Sequence, residues 1–278
     1  AGIVAQHLKS AGAIISFTTV LGNDLLKDLV INQMKKTKIK INPIIDKTRP
    51  TTNKNTISSN GYKLLKIDKL DNQPISEKII NRIADNIKRE KCDVVIFSDF
   101  RHGIFNKTSI PILISSIKKG IFKVADSQVA TRWGNITDFK GFDLITPNER
   151  EARFSLADQD SNISELTRQL IIETKCKNLI LKLGERGIFS HSKSGKEAIS
   201  FAIPSFANRV EDSVGAGDAL LSYATLSLVK TKSSVISSIL GSIAAACQCE
   251  RNGNLVVTPE QIITKTNLIE ESSSYKIK

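Results

Sequence analysis

The stretch Glu211–Leu228, EDSVGAGDALLSYATLSL, decides how the rest of the chain is read. Asp212 and Asp218 bracket Gly215-Ala216-Gly217, and a long apolar run without proline follows. This order of residues predicts a loop that feeds the N-terminus of a helix. Small residues there let backbone N–H groups approach an anion, and the positive end of the helix dipole adds to the attraction. Gly215, Ala216 and Gly217 are therefore candidates for an anion hole that holds a phosphoryl group. Asp218, in the first helical turn, is a candidate base for a hydroxyl that attacks phosphorus. The plainer alternative is a tight glycine turn capped by an aspartate.

At 278 residues and 40% hydrophobic content the chain is long enough for one large α/β domain with a real core. The formal charge of +12 raises nucleic acid as a partner, but the lysines are scattered and aromatics make up only 5%. The pattern points to anionic small substrates rather than to nucleic acid, and no nucleic-acid partner is expected. Cys92, Cys176, Cys247 and Cys249 are too few and too irregular for a disulfide framework, so a reducing cytoplasm is expected. Cys247-x-Cys249 places its thiols on different faces of a helix, which favours buried small side chains over a metal site. No apolar run is long enough for a membrane span, and no membrane partner is expected.

Outward from the opening stretch, the pattern alternates between helix and strand. Gly2–Ala11 has helical spacing, with His7 read as a packed residue rather than a ligand, and 13–20 is strand-like. A helix followed by a strand is the second half of a βαβ unit, so the first strand of the fold is expected to lie upstream of Ala1. Asp24 reads as the N-cap of a helix over 25–36. From 39 to 68 the period changes to two, and Asn60-Gly61 lies between two strand-like runs, the strongest short signal for a hairpin. This predicts a small antiparallel sheet set off from the main domain. A helix over 76–90 leads to the apolar strand 92–97, which ends at Asp99; a strand over 121–125 ends at Asp126. Carboxylates at the ends of parallel strands lie where open α/β sheets bind ligands. The strand 142–146 enters Pro147-Asn148-Glu149-Arg150-Glu151, a helix start with a plain capping explanation. The strand 178–183 runs into Gly184-Glu185-Arg186-Gly187, a turn that by itself is only a hairpin.

Asp212-Ser213-x-Gly215-Ala216-Gly217-Asp218 before an apolar helix resembles the C-terminal signature of the ribokinase-like (PfkB) sugar kinases, and Asn148-x-x-Glu151 resembles their Asn-x-x-Glu motif. The resemblance covers almost the whole chain. It implies a ribokinase-like three-layer α/β domain over 1–278, with a mostly parallel central sheet, its first strand missing and a small β lid at about 39–70. It implies ATP-dependent phosphorylation of a sugar or sugar-phosphate hydroxyl. Asp218 would be the base and the Gly215-Ala216-Gly217 amides the anion hole. Asn148 and Glu151 would organise the water around Mg²⁺, a hydrated hard cation that suits two oxygen-bearing side chains on one turn. Lys182, Gly184, Gly187, Ser213 and Ala245 would lie by the nucleotide, the small face of Ala244-Ala245-Ala246 fitting under a flat base. RPTTNKNTI and KLLKIDKLD resemble the lid of the heptose-7-phosphate kinase domain of bifunctional heptose kinase/adenylyltransferases, so Arg49 and Lys54 are candidates to bind a sugar phosphate. The family's Asp-Tyr-x-Lys-Gly-like sequence after the strand makes Asp99 a candidate sugar-hydroxyl ligand, with His102 a further substrate-side candidate or a turn histidine. Solvated charges on a sheet edge are the alternative for Arg49 and Lys54. The same likeness implies a homodimer through the lid and a fused nucleotidyltransferase domain. The chain departs from the family at Ile3, where a polar sugar contact is usual, and at Phe100 and His102. It departs again at Asp126-Ser127-Gln128, where heptose kinases have Asp-Pro-Lys, and at Lys182, where Thr is usual. A non-catalytic binding relative, or a kinase-like half of a larger enzyme, is the competing reading.

Overall fold

The computed structural model describes residues 1–59, 62–128, 136–194 and 197–273. In chain order the first elements are α1 (Gly2–Ser10), β1 (Ser16–Leu21), α2 (Leu25–Lys36), β2 (Lys40–Ile45), β3 (Asn53–Ser59), β4 (Tyr62–Lys69) and α3 (Glu77–Arg89). Then follow β5 (Val94–Asp99), α4 (Ser109–Ser115), β6 (Phe122–Ser127), β7 (Leu144–Ile145), α5 (Glu149–Leu156), α6 (Ile163–Thr174) and β8 (Asn178–Lys182). The last are β9 (Ile188–Ser194), β10 (Glu197–Ile203), α7 (Ala216–Thr231), α8 (Ser234–Cys249) and α9 (Pro259–Ser273). They divide into two compact units, one of residues 1–13, 93–100 and the chain from Ile121 onward, the other of 14–92 and 101–120.

The first unit holds a six-stranded sheet in the order β10-β9-β8-β7-β6-β5. β5 through β8 are parallel, and β9 and β10 are antiparallel. Val124, Ala125, Leu144, Ile145, Leu179 and Leu181 are fully buried, the continuous apolar reading expected of parallel strands covered by helices. Phe97, Phe139 and Phe142 form one aromatic cluster, with ring centroids 5.6 to 6.2 Å apart. Each such ring contributes about 1.5–3 kcal/mol by leaving water. This packing fixes the strand ends, and with them Asp126, Ser127 and Lys182.

α7 packs against α8 and α1. Its contact with α8 is close because Gly241 has no side chain: a Cβ there would stand 3.0 Å from the Ala224 Cβ. His7, which the sequence offered as a packed residue, is fully buried, and its Nδ1 accepts the Val257 N–H at 3.1 Å. α1 is thereby tied to the segment before α9.

In the second unit β1 and β2 are parallel, joined through α2, and β3 and β4 are antiparallel. This corrects the expectation that 39–68 forms one antiparallel sheet. Ile39 and Ile44 are buried, so β2 belongs to a core-forming βαβ unit rather than to the hairpin. The turn predicted at Asn60-Gly61 lies outside the described residues. Asp24 caps α2 as expected, its Oδ1 accepting the Lys27 N–H at 3.1 Å, while its Oδ2 accepts the Thr51 N–H at 2.8 Å. Gly22 is required beside it, because a Cβ would stand 2.5 Å from the Thr51 nitrogen. The strand read as 142–146 is confined to Leu144–Ile145.

Candidate active site

In the first unit the ends of β6 and β8 and the starts of α5 and α7 bring four ionisable groups together. Lys182, the last residue of β8, places its Nζ 3.0 Å from Oδ1 of Asp126 at the end of β6. The same oxygen accepts the Thr146 hydroxyl at 3.0 Å. Both members of the ion pair are mostly buried, with side chains 15% and 6% exposed. Burial alone would lower the Lys182 pKa, but the charges of Asp126, Glu151 and Asp218 outweigh it and hold the amine above its ordinary value. Lys182 is therefore a permanent buried cation facing three carboxylates.

Asn148 and Glu151 open α5. Asn148 is the N-cap, its side-chain oxygen accepting the Glu151 N–H at 2.8 Å, and Glu151 Oε2 accepts the Asn148 N–H at 2.7 Å. The capping reading of this pair is thus realised in full. Glu151 is also 5% exposed. Burial pushes its carboxyl up to about 7, with Lys182 working against the rise and Asp126 and Asp218 adding to it.

The GAGD stretch forms the predicted loop and helix start. Gly215 is the N-cap of α7 with φ 85°, and the helix begins with the Ala219 N–H donating to its carbonyl at 2.9 Å. The Gly217 amide precedes that bond and points out of the helix end. Asp218 is buried at 7% exposure in the same turn. A Cβ on Gly217 would stand 3.1 Å from Lys182 Nζ, so the amine lies directly against the glycine loop. Ser213 is exposed, and its carbonyl accepts the Ala216 N–H at 3.3 Å.

Behind this loop stands a residue that sequence reasoning missed. Gln248 of α8 is fully buried and donates through Nε2 to the carbonyls of Val214, at 3.1 Å, and Gly253, at 2.6 Å. It staples the anion loop to the segment after α8. An amide inside the apolar run AAACQC was the available signal. Asn254 was missed as well; its side chain fills the space where a Cβ on Gly215 would fall.

The other nucleotide-side candidates lie nearby in the chain but are not all drawn into the cluster. Gly184 and Gly187, at φ 64° and 86°, make the turn between β8 and β9, and a Cβ on Gly187 would stand 2.1 Å from the Ile203 carbonyl oxygen. A cavity of about 720 Å³ is bounded by Asn148, Arg150, Phe154, Lys182, Leu183 and Gly184. Ala245 is half-buried on α8 between buried Ala244 and Ala246. Asp99 is buried at the end of β5, where its Oδ2 accepts the Ser127 hydroxyl at 2.9 Å.

The remaining substrate-side candidates belong to the second unit. Arg49 donates to Asp46 Oδ2 at 2.9 Å and to the carbonyls of His102, Gln73 and Pro74 at 3.2, 3.1 and 3.5 Å. Its guanidinium is a buried strut between three chain segments. His102 shares a 2.9 Å hydrogen bond with Asn72 Oδ1 through Nδ1. Burial first, then the Lys54 charge, lowers its pKa to about 4, so the ring is neutral and Nδ1–H is the donor. Lys54 is exposed on β3.

Among the described residues no group of three or more His, Cys, Asp or Glu is arranged to bind a metal directly. Oxygens of Asn148 and Glu151 are committed to the helix cap, yet Glu151, Asp126 and Asp218 leave an excess of negative charge. That donor set fits a hydrated cation held through water and not a fully coordinated one.

Residues 3–261 match the pfkB family carbohydrate kinase, and the chain belongs to that family. Among curated relatives it is similar to the bifunctional protein HldE of Pelobacter propionicus, 26% identical over 284 residues that are 100% of this chain and 57% of that protein. It is similar as well to the protein of the same name from Desulfatibacillum aliphaticivorans, 28% identical over 289 residues, 100% of this chain and 56% of that one. The chain thus spans just over half the length of these relatives. Among solved structures, phosphofructokinase-2 from Escherichia coli superposes with a TM-score of 0.79 at 14% identity, covering 96% of this chain and 86% of that one. Ribokinase from Thermotoga maritima gives 0.72 at 19% identity, with 96% and 85% covered. The fold is ribokinase-like. No described helix is long and apolar enough to cross a membrane.

Proposed function

We propose that this chain is a sugar kinase unit that transfers the terminal phosphoryl group of ATP to a hydroxyl of a sugar phosphate, with conversion of a heptose 7-phosphate to its 1,7-bisphosphate as the finer reading. The observation that carries it is the buried carboxylate of Asp218 one residue beyond the Gly217 amide at the start of α7. In this reading Asp218 takes the hydroxyl proton. The acceptor oxygen then bonds to phosphorus as the bond from phosphorus to the bridging oxygen of the nucleotide breaks. The Gly215 and Gly217 amides face the charge that develops on the moving group, while the Ala216 N–H, the third candidate, is shared with the Ser213 carbonyl at 3.3 Å. Mg²⁺ on the phosphates would neutralise charge there, held through water beside Glu151 and the Asn148 cap.

Lys182, Gly184, Gly187, Ser213 and Ala245 are the nucleotide-side residues of this proposal, and Asp99, His102 and Lys54 the sugar-side ones. Two features support an anionic acceptor: an exposed Lys54 and a chain charge of +12. The greater length of the HldE relatives supports a nucleotidyltransferase partner domain, and a cytoplasmic setting suits four free thiols. A second copy of the chain is the expected cover for β3 and β4, where Ile57, Leu65 and Ile67 are each about half exposed on a two-stranded ribbon that is marginal by itself.

The test is a steady-state assay of ADP release with neutral and phosphorylated sugars, on the chain and on Asp218→Asn. A phosphosugar is expected to drive turnover, and the substitution to remove about 10²-fold or more of it. Undiminished turnover in Asp218→Asn overturns the assignment of the base.

A further inference from the structure

The ion pair of Lys182 and Asp126 reads at first as a structural bridge, and three observations argue otherwise. The ammonium lies against Gly217, in the first turn of a sixteen-residue helix, where the dipole favours anions and disfavours a cation. An ammonium carries three N–H donors, and among the described residues Asp126 Oδ1 is the acceptor within hydrogen-bond distance. The side chain is 15% exposed, which leaves the remaining donors open to a ligand. Lys182 also bounds the 720 Å³ cavity together with Asn148 and Gly184, so a ligand can reach it.

An anion set between the ammonium and the helix start resolves all three. It would accept the remaining N–H groups of Lys182, meet the Gly217 amide and turn an unfavourable juxtaposition into a cage of donors. We propose that Lys182 is a catalytic residue of the phosphoryl transfer, its ammonium contacting the terminal phosphoryl group of the nucleoside triphosphate, and that Asp126 is the residue that positions it. This rests on the kinase reading above. Lys182 neither gives nor takes a proton: the hydroxyl proton goes to Asp218, the oxygen–phosphorus bonds exchange as described, and the fixed positive charge offsets the negative charge on the phosphoryl group as it passes from donor to acceptor. Asp126, itself oriented by the Thr146 hydroxyl, keeps the amine from folding back into the cavity. A Cβ at 217 would stand 3.1 Å from the amine and would displace it by a few tenths of an ångström.

The test is calorimetric binding of two probes, a non-hydrolysable ATP analogue and ADP, to the chain and to Lys182→Met, Lys182→Arg and Asp126→Asn, with a melting curve for each. Lys182→Met is expected to weaken the triphosphate analogue by about tenfold or more, as for a lost charge-assisted hydrogen bond, and ADP by less than about twofold. Lys182→Arg should recover part of the loss and Asp126→Asn should show the same selectivity in smaller measure. Equal losses for both probes, or none, overturn the proposal. If Lys182→Met does not fold, the same comparison is read on Lys182→Arg and Asp126→Asn, where an unchanged ratio of the two affinities overturns it. Failure of the parent chain to bind either nucleotide removes the kinase reading and this inference together. Tight binding by the parent chain with loss of turnover in Asp218→Asn, but full triphosphate affinity in Lys182→Met, removes this inference alone.

Discussion

Asn148 and Glu151 exchange hydrogen bonds across the first turn of α5, side chain to backbone in each direction, and the carboxyl that closes this box is buried among two other carboxylates and a lysine. One pair thus serves a helix start and the electrostatics of the candidate site at once. Its consequences can be separated by pH.

Glu151 has its carboxyl pushed up to about 7 from an ordinary 4.5, so the folded chain holds the proton more tightly than the unfolded one. Its contribution to stability is complete below about pH 4.5 and is lost as pH rises through 7. Glu151→Gln keeps the shape and has no such proton. The difference in melting temperature between the chain and this variant should therefore change from pH 4.5 to 7.5 in the variant's favour; a constant difference across that range would contradict the buried, crowded setting of the carboxyl.

His7 behaves in the opposite sense. Burial, with the Arg251 charge second, lowers its pKa from 6.5 to about 4, and the neutral ring accepts the Val257 N–H. The stability it contributes is present above pH 6.5 and lost as pH falls toward 4, on the order of 3 kcal/mol in all. Urea unfolding of the chain and of His7→Gln at pH 7 and at pH 4.5 reads this directly. The gap between them should narrow in acid.

Arg49 and Lys54 were grouped by sequence and are separated by environment. Arg49→Ala leaves buried Asp46 without its partner and is expected to cost about 3–5 kcal/mol of stability. Lys54→Ala, on an exposed strand, should stay within about 0.5 kcal/mol. A thermal-shift comparison of neutral and phosphorylated sugars on Lys54→Ala then isolates its effect on an anionic acceptor. A large loss of stability in Lys54→Ala, or none in Arg49→Ala, would reverse the two roles.

Gln248→Leu removes both hydrogen bonds that hold the Val214 and Gly253 carbonyls and puts an apolar side chain in place of a fully buried amide. A cost of about 2–3 kcal/mol is expected. Because one of the two carbonyls is in the anion loop, nucleotide affinity should fall even at temperatures where the variant is fully folded. Calorimetry at low temperature with near-normal affinity would show that the staple supports the fold only.

How much of this was legible in the sequence depended on the range of the interaction. The Asp24 cap, the Asn148 and Glu151 turn and the Gly215 entry into α7 are local, and residue types three apart announce them. The parallel strands could be read from continuous apolar runs. β2 could not be assigned to its partner, because Lys40–Ile45 alternates like the hairpin strands beside it and only the burial of Ile39 and Ile44 separates them. Asp126 was visible as a carboxylate at a strand end, but its pairing with Lys182, 56 residues away, was not. Nor was the commitment of Arg49 to three carbonyls, since backbone acceptors leave no trace in side-chain chemistry.

The charged cluster gathers members from β6, α5, β8 and α7, elements scattered across nearly a hundred positions of the first unit. No two of Asp126, Glu151, Lys182 and Asp218 are neighbours in the chain, so no early local structure can form it. Their mutual charges act only once the strands and helices that carry them are in place. Chain collapse is therefore driven by the aromatic and aliphatic residues beneath the sheet, and the site assembles with it. Amide exchange should record this: protection at the starts of α5 and α7 should arrive only with global folding and be lost only with global unfolding.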